Sequence, residues 1–135
     1  MALINWDESY SVKVKEIDDQ HKKWIGMIND LHEAMKAGQG SSVIGKTIDE
    51  VVNYTVYHFG HEEKLFEKYI YPDTVSHKKL HYDFVNQFRK IKQDYDSGSI
   101  VLSMDVINRL KNWLTNHIMK VDKQYSEFLN SKGIK

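Results

Sequence analysis

Four long stretches of this 135-residue chain repeat apolar side chains at steps of three and four, with only short breaks between them. The first holds His21, Trp24, Ile25, Ile28, Leu31 and Met35. The second holds Ile44, Ile48, Val51, Thr55, His58, Glu62, Leu65 and Tyr69. The third holds His77, His81, Phe84 or Val85, Phe88, Ile91 and Tyr95, and the fourth Val106, Leu110, Trp113, Leu114, His117, Val121 and Phe128. Such spacing puts each set on one face of an α-helix. The breaks carry the expected punctuation: Gly38 and Gly40, then Pro72 (the only proline), then Ser97-Gly98-Ser99. Asp18, Ser41 or Ser42, Asp73 or Thr74, and Ser103 are the expected N-caps. Helices are therefore predicted at about 19–37, 42–70, 74–96 and 104–130, after an extended arm over 1–17 anchored by Leu3, Ile4 and Trp6. Short connections join antiparallel neighbours, so the predicted fold is all-α, an antiparallel up-down-up-down four-helix bundle in one domain spanning 1–135.

The composition excludes several partner classes. Basic and acidic residues number 19 each, so the formal net charge is zero, which argues against nucleic acid or an anionic membrane as the main partner. No run of apolar residues is long enough to span a bilayer, and the N-terminal residues lack a signal-peptide pattern. A cytoplasmic monomer is expected. There is no cysteine, so any metal must be held by nitrogen and oxygen.

The inward faces are not purely apolar. In His58-Phe59-Gly60-His61-Glu62-Glu63, His58 and Glu62 are four residues apart and share a face. Glu63 is roughly 140° round from His58 and is expected to point outward. A buried carboxylate beside a buried imidazole is costly unless something pairs with both. The other three stripes supply His21, then His77 and His81, then His117 and Asp122. Starts of odd helices and ends of even helices meet at one end of such a bundle. All seven side chains then fall within a slab of about 10–15 Å, at a rise of ~1.5 Å per residue. Asp122 is the poorly placed member. Five residues after His117 is about 140° round an ideal helix, so either the helix is locally wide or the aspartate reaches in from the edge of the stripe. His61 is expected at the bundle edge, solvated or hydrogen-bonded. His32, roughly 16 Å along the helix from His21, is expected to be structural.

Seven donors exceed the four of a structural zinc site and suit two ions that share bridging carboxylates. Five imidazoles favour iron over magnesium or calcium. Divided between two ions, five histidines fall as three and two, which leaves one ion with an open position.

The pattern His21, His58-x-x-x-Glu62, His77-x-x-x-His81 and His117-x-x-x-x-Asp122 resembles the hemerythrin family. Trp6-Asp7, Ile17-Asp18-Asp19-Gln20-His21, His58-Phe59, Glu62-Glu63, Tyr71-Pro72 and Trp113 ahead of His117-Ile118 resemble its single-domain bacterial members. The resemblance covers nearly the whole chain. It implies a single hemerythrin-like domain with two non-haem iron ions, an oxo or hydroxo bridge, and O2 as a reversible ligand. By that pattern His77, His81 and His117 hold the saturated iron, His21 and His58 the iron that takes O2, and Glu62 and Asp122 bridge. Ile25, Phe59, Trp113 and Leu114, within one turn of these residues, are expected to wall the O2 pocket.

The implied function is an O2 carrier, store or supplier to an O2-consuming enzyme, with no catalytic residues of its own. The alternatives are an O2 or redox sensor, and a di-iron oxidase or peroxidase. Carboxylate-rich bundle sites use Glu-x-x-His pairs, and no such pair lies on the inward stripes.

Overall fold

The computed structural model describes residues 3–38, 41–98 and 104–135. Gly40, Ser99 and Ser103 lie outside the described residues, as do the side chains of Ser41 and Val106. Among the described residues every regular element is helical. A 3-10 turn, Glu8–Tyr10, precedes α1 (Lys15–Lys36), α2 (Ser41–Tyr69), α3 (Thr74–Asp96) and α4 (Met104–Asn116). The fourth helix then continues through a π-helical segment, His117–Asp122, into α5 (Lys123–Ser131). α1, α2, α3 and the composite fourth helix form the antiparallel four-helix bundle.

α1 begins four residues earlier than expected. Asp18 is not its N-cap: that place is taken by Val14, and Asp18 turns back onto the arm. Its carboxylate accepts from Ser11 Oγ at 2.6 Å and from the backbone N–H of Val12 at 2.8 Å. An aspartate in the first turn also suits the positive end of the helix dipole. The arm is further pinned by Asn29, which exchanges two hydrogen bonds with the backbone of Ile4, and by Ser126 Oγ on the carbonyl of Val12. Gly38 and Gly98 follow the ends of α1 and α3 at φ +70° and +77°, the left-handed conformation that a helix exit favours.

The buried residues form two apolar clusters. The larger includes Trp24, Ile28, Leu31, Ile48, Phe59, Phe84, Phe88, Leu114 and Ile118. The smaller, under the arm, holds Val12, Val14, Ile17, Phe66, Tyr71, Tyr125 and Leu129. In sequence His21 falls between Ile17 and Trp24, and Glu62 between Phe59 and Phe66, so the polar layer sits between the two clusters. Past Glu62 the buried position is Phe66 rather than the expected Leu65. Past Ile118 the buried positions are Asp122, Tyr125 and Leu129 rather than Val121 and Phe128. The π-helical segment causes the second change. Its wider turn admits one extra residue, so the inward face moves on by one position from Asp122 onward.

Candidate metal centre

All seven predicted side chains are buried and converge. Each of the four bundle helices contributes: His21 from α1, His58 and Glu62 from α2, His77 and His81 from α3, His117 and Asp122 from the π-helical segment. Their donor atoms form two groups, each within 4.8 Å: Glu62, His77, His81, His117 and Asp122 in one, and His21, His58, Glu62 and Asp122 in the other. Glu62 and Asp122 belong to both.

Each carboxylate lies close to imidazoles of both groups. Asp122 Oδ1 is 3.1 Å from His77 Nε2 and 3.0 Å from His117 Nε2, and its Oδ2 is 3.1 Å from His21 Nε2. Glu62 Oε1 lies 3.3 Å from His81 Nε2 and 3.6 Å from His58 Nε2, with Oε2 3.8 Å from His21 Nε2. His81 and His117 bring their Nε2 atoms to 3.2 Å. Two donors at right angles, each ~2.1 Å from an ion, stand about 3 Å apart, so these are separations that a shared ion produces. The π-helical segment resolves the position of Asp122: bonding from i to i+5 brings the fifth residue back toward the face of His117.

Unpaired polar atoms give a second test of fit. His21 Nε2, His58 Nε2, His77 Nε2, Glu62 Oε1 and both Asp122 oxygens are buried without a hydrogen-bond partner. A folded interior rarely leaves so many polar atoms unmatched. They share one layer and one chemistry, nitrogen and oxygen lone pairs, and a cation would satisfy them together. The donor set fits two transition-metal ions.

Burial and neighbouring charge act in opposite directions on the side chains of this layer. Burial holds His58 down to about 3, against the pull of Glu62, so its lone pair is free at neutral pH. Burial also lowers His81, but the adjacent carboxylates of Glu62 and Glu63 outweigh it and raise the group to about 9. Burial and the neighbouring Asp122 push Glu62 up, yet the imidazoles of His58 and His81 bring it down to about 2. Asp122 is lowered despite burial, chiefly by His117. Both carboxylates are therefore ionised and available as ligands.

Several contributors have no signature in a one-residue-at-a-time reading of the helix faces. Glu63 does not point away: its Oε2 accepts from His81 Nδ1 at 3.0 Å, and the side chain is only 24% exposed. The 140° that separates it from His58 turns it toward α3, where His81 waits. Gln20 Oε1 accepts from His58 Nδ1 at 2.7 Å. Tyr125, fully buried, donates its phenol proton to Glu62 Oε2, which raises the phenol pKa through burial and the nearby carboxylates. Trp24 packs against His58 and His21, with ring centroids 5.3 and 6.4 Å away. Its position one turn after His21 was the available signal.

Of the four expected wall residues, Ile25, Phe59 and Leu114 are buried. Phe59 is stacked on His81 at 3.7 Å and Trp113 on His117 at 4.5 Å, so both rings abut the three-histidine group. His61 faces Glu16 at the bundle edge at 3.3 Å, with its side chain 23% exposed. His32 belongs to neither donor group.

The fold and site define a class: a four-helix bundle with a buried cluster of five imidazoles and two carboxylates that fall into two overlapping donor groups. Residues 12–129 match the family model of the hemerythrin HHE cation binding domain. The chain belongs to the hemerythrin family. It is 35% identical over 132 residues to a bacteriohemerythrin of Methylococcus capsulatus, covering 97% of this chain and 100% of that one. It is 36% identical over 127 residues to a bacteriohemerythrin of Stenotrophomonas maltophilia, covering 94% of this chain and 82% of that one. A crystal structure of a wild-type hemerythrin superposes with a TM-score of 0.87 at 35% identity, over 93% of this chain and 97% of that one.

Proposed function

We propose that the chain binds two iron ions through His21, His58, Glu62, His77, His81, His117 and Asp122, and that the pair takes up O2 reversibly. The observation that carries this reading is the division of donors into groups of three and two histidines around two shared carboxylates. Three histidines with two bridging oxygens nearly fill one ion's coordination shell. Two histidines leave the other ion room for an external ligand. When bound, the irons supply the two electrons that O2 needs.

The chain's own residues do the rest. Glu62 and Asp122 hold the two positions together from opposite helices. Tyr125 fixes the orientation of Glu62, and Gln20 and Glu63 fix the rings of His58 and His81. Ile25, Phe59, Trp113 and Leu114, with Trp24, line the centre with apolar surface that excludes water. A dry wall favours return of O2 over loss of its reduced forms to solvent. Among the described residues no helix is long and apolar enough to cross a membrane. The dry, imidazole-rich centre supports a protein that carries or stores O2, or supplies it to an O2-consuming enzyme, and the expected cytoplasmic monomer is part of the same proposal.

An oxygen-electrode measurement tests the reading. Reduced, iron-loaded protein should take up about one O2 for every two irons and then stop. Continued O2 consumption in the presence of excess reductant would overturn it in favour of an oxidase.

A further inference from the structure

Different chemistry backs one histidine in each donor group. Behind the two-histidine group, His58 Nδ1–H meets the side-chain carbonyl of Gln20, and both residues are buried. Behind the three-histidine group, His81 Nδ1–H meets the carboxylate of Glu63. Either acceptor keeps the proton on Nδ1 and leaves the Nε2 lone pair for a metal. An amide carbonyl is neutral, however, and a carboxylate is anionic. The anion draws the Nδ1 proton toward itself and makes the ring a stronger electron donor at Nε2.

Each acceptor matches its surroundings. Glu63 lines a surface groove of about 550 Å³ between α2 and α3, beside Gly60, Val75 and Tyr82, and its side chain is 24% exposed. Gln20 is buried, and a carboxylate in its place would be a largely desolvated charge. The bias therefore runs one way: negative charge behind His81, none behind His58.

We propose that Gln20 and Glu63 are positioning residues that make the two metal positions unequal. Glu63 strengthens His81 as a donor and anchors the three-histidine ion. The neutral amide of Gln20 leaves the His21/His58 ion the more electrophilic of the two, and so the one that accepts an external ligand. The inference rests on the di-iron reading above.

Two charge-changing variants test it, E63Q and Q20E, because both keep an acceptor for the imidazole N–H. The first readout is NMR of the zinc-loaded, diamagnetic protein. In the wild type the Nδ1–H proton of His81 should lie downfield of that of His58. E63Q should bring the two together. The second readout uses diferric protein with azide as the probe ligand. Q20E should weaken azide about tenfold or more, whereas E63Q should leave azide nearly unchanged and speed loss of one iron to a chelator by about 10–100-fold. Two results would overturn the proposal alone: coincident His58 and His81 protons that E63Q does not move, or azide weakened equally by both variants. Should Q20E not fold, the zinc spectrum and the chelator rate of E63Q still decide. Zinc-loaded wild type with unshifted His58 and His81 Nε2 signals would overturn the di-iron reading itself, and this proposal with it.

Discussion

Tyr125→Phe removes one oxygen from the centre and leaves the ring in place. That ring packs on Phe66 at 5.1 Å, His77 at 5.7 Å and Tyr71 at 6.3 Å, so the substitution opens no large cavity. What goes is the phenol proton given to Glu62 Oε2, a carboxylate oxygen inside a fully buried residue. A hydrogen bond to a buried charged acceptor contributes about 1.5–3 kcal/mol. Unfolding entropy near 2.1 cal/mol/K per residue gives roughly 0.28 kcal/mol/K for a chain of this length, so the metal-free protein should lose about 5–10 °C of Tm. Bound metal neutralises Glu62 and takes over part of this role, so the loss should fall to about 2–5 °C in the iron-loaded protein. Paired thermal melts followed by circular dichroism, with and without iron, measure both. A metal-free shift under about 1 °C, or equal losses in the two states, would refute the claim that Tyr125 stabilises a buried, ionised Glu62.

Glu62→Ala and His77→Ala should each lose iron and stability together, because each leaves buried partners without a counterpart; metal analysis alongside urea unfolding checks this. Leu114→Ala should keep both irons while costing about 2–5 kcal/mol, and should speed O2 release and autoxidation in stopped-flow traces; unchanged rates would place Leu114 in the plain core. The metal-free protein should be most stable near pH 6.5. Glu62 and His81 alone would give a plateau from 4.5 to 6.5. His58, held down to about 3, stays neutral in the fold while the unfolded ring takes up a proton below 6.5, so stability falls as pH drops below that value. Glu62 is depressed to about 2, so its contribution is present above 4.5 and lost as pH falls toward 2. His81 is raised to about 9, so its contribution is present below 6.5 and lost as pH rises through 9. Iron replaces the His81 Nε2 proton, so the loaded protein should lack the alkaline decline, a contrast that pH-dependent melts would show.

The sequence disclosed the bundle and the level of the centre because both follow from periodicity. Helical steps of three and four put His21, His58, His77, His81 and His117 on inward faces, and the order of the helices put them at one end. Periodicity also limited what could be read. An ideal helix cannot bring both His117 and Asp122 inward, and nothing in His-Ile-Met-Lys-Val-Asp names a π-helical turn. The shift then carried Tyr125 and Leu129 inward where Val121 and Phe128 were expected. Glu63 was misplaced for a related reason: angle from His58 measures the helix's own face, while the side chain answers to the neighbouring helix. Asp18 has the composition of an N-cap, but the arm offered Ser11 and Val12 as better partners. Supporting contacts such as Gln20 to His58 join distant segments and leave no local mark.

The most direct measurement is a visible spectrum taken through one full O2 cycle on protein holding about two irons per chain. The anaerobically reduced protein should be nearly colourless, gain an iron charge-transfer band in air, and lose it again when O2 is removed, over several cycles without loss of iron. A spectrum that O2 does not change, or one that changes once and does not return, would contradict reversible O2 binding at this centre.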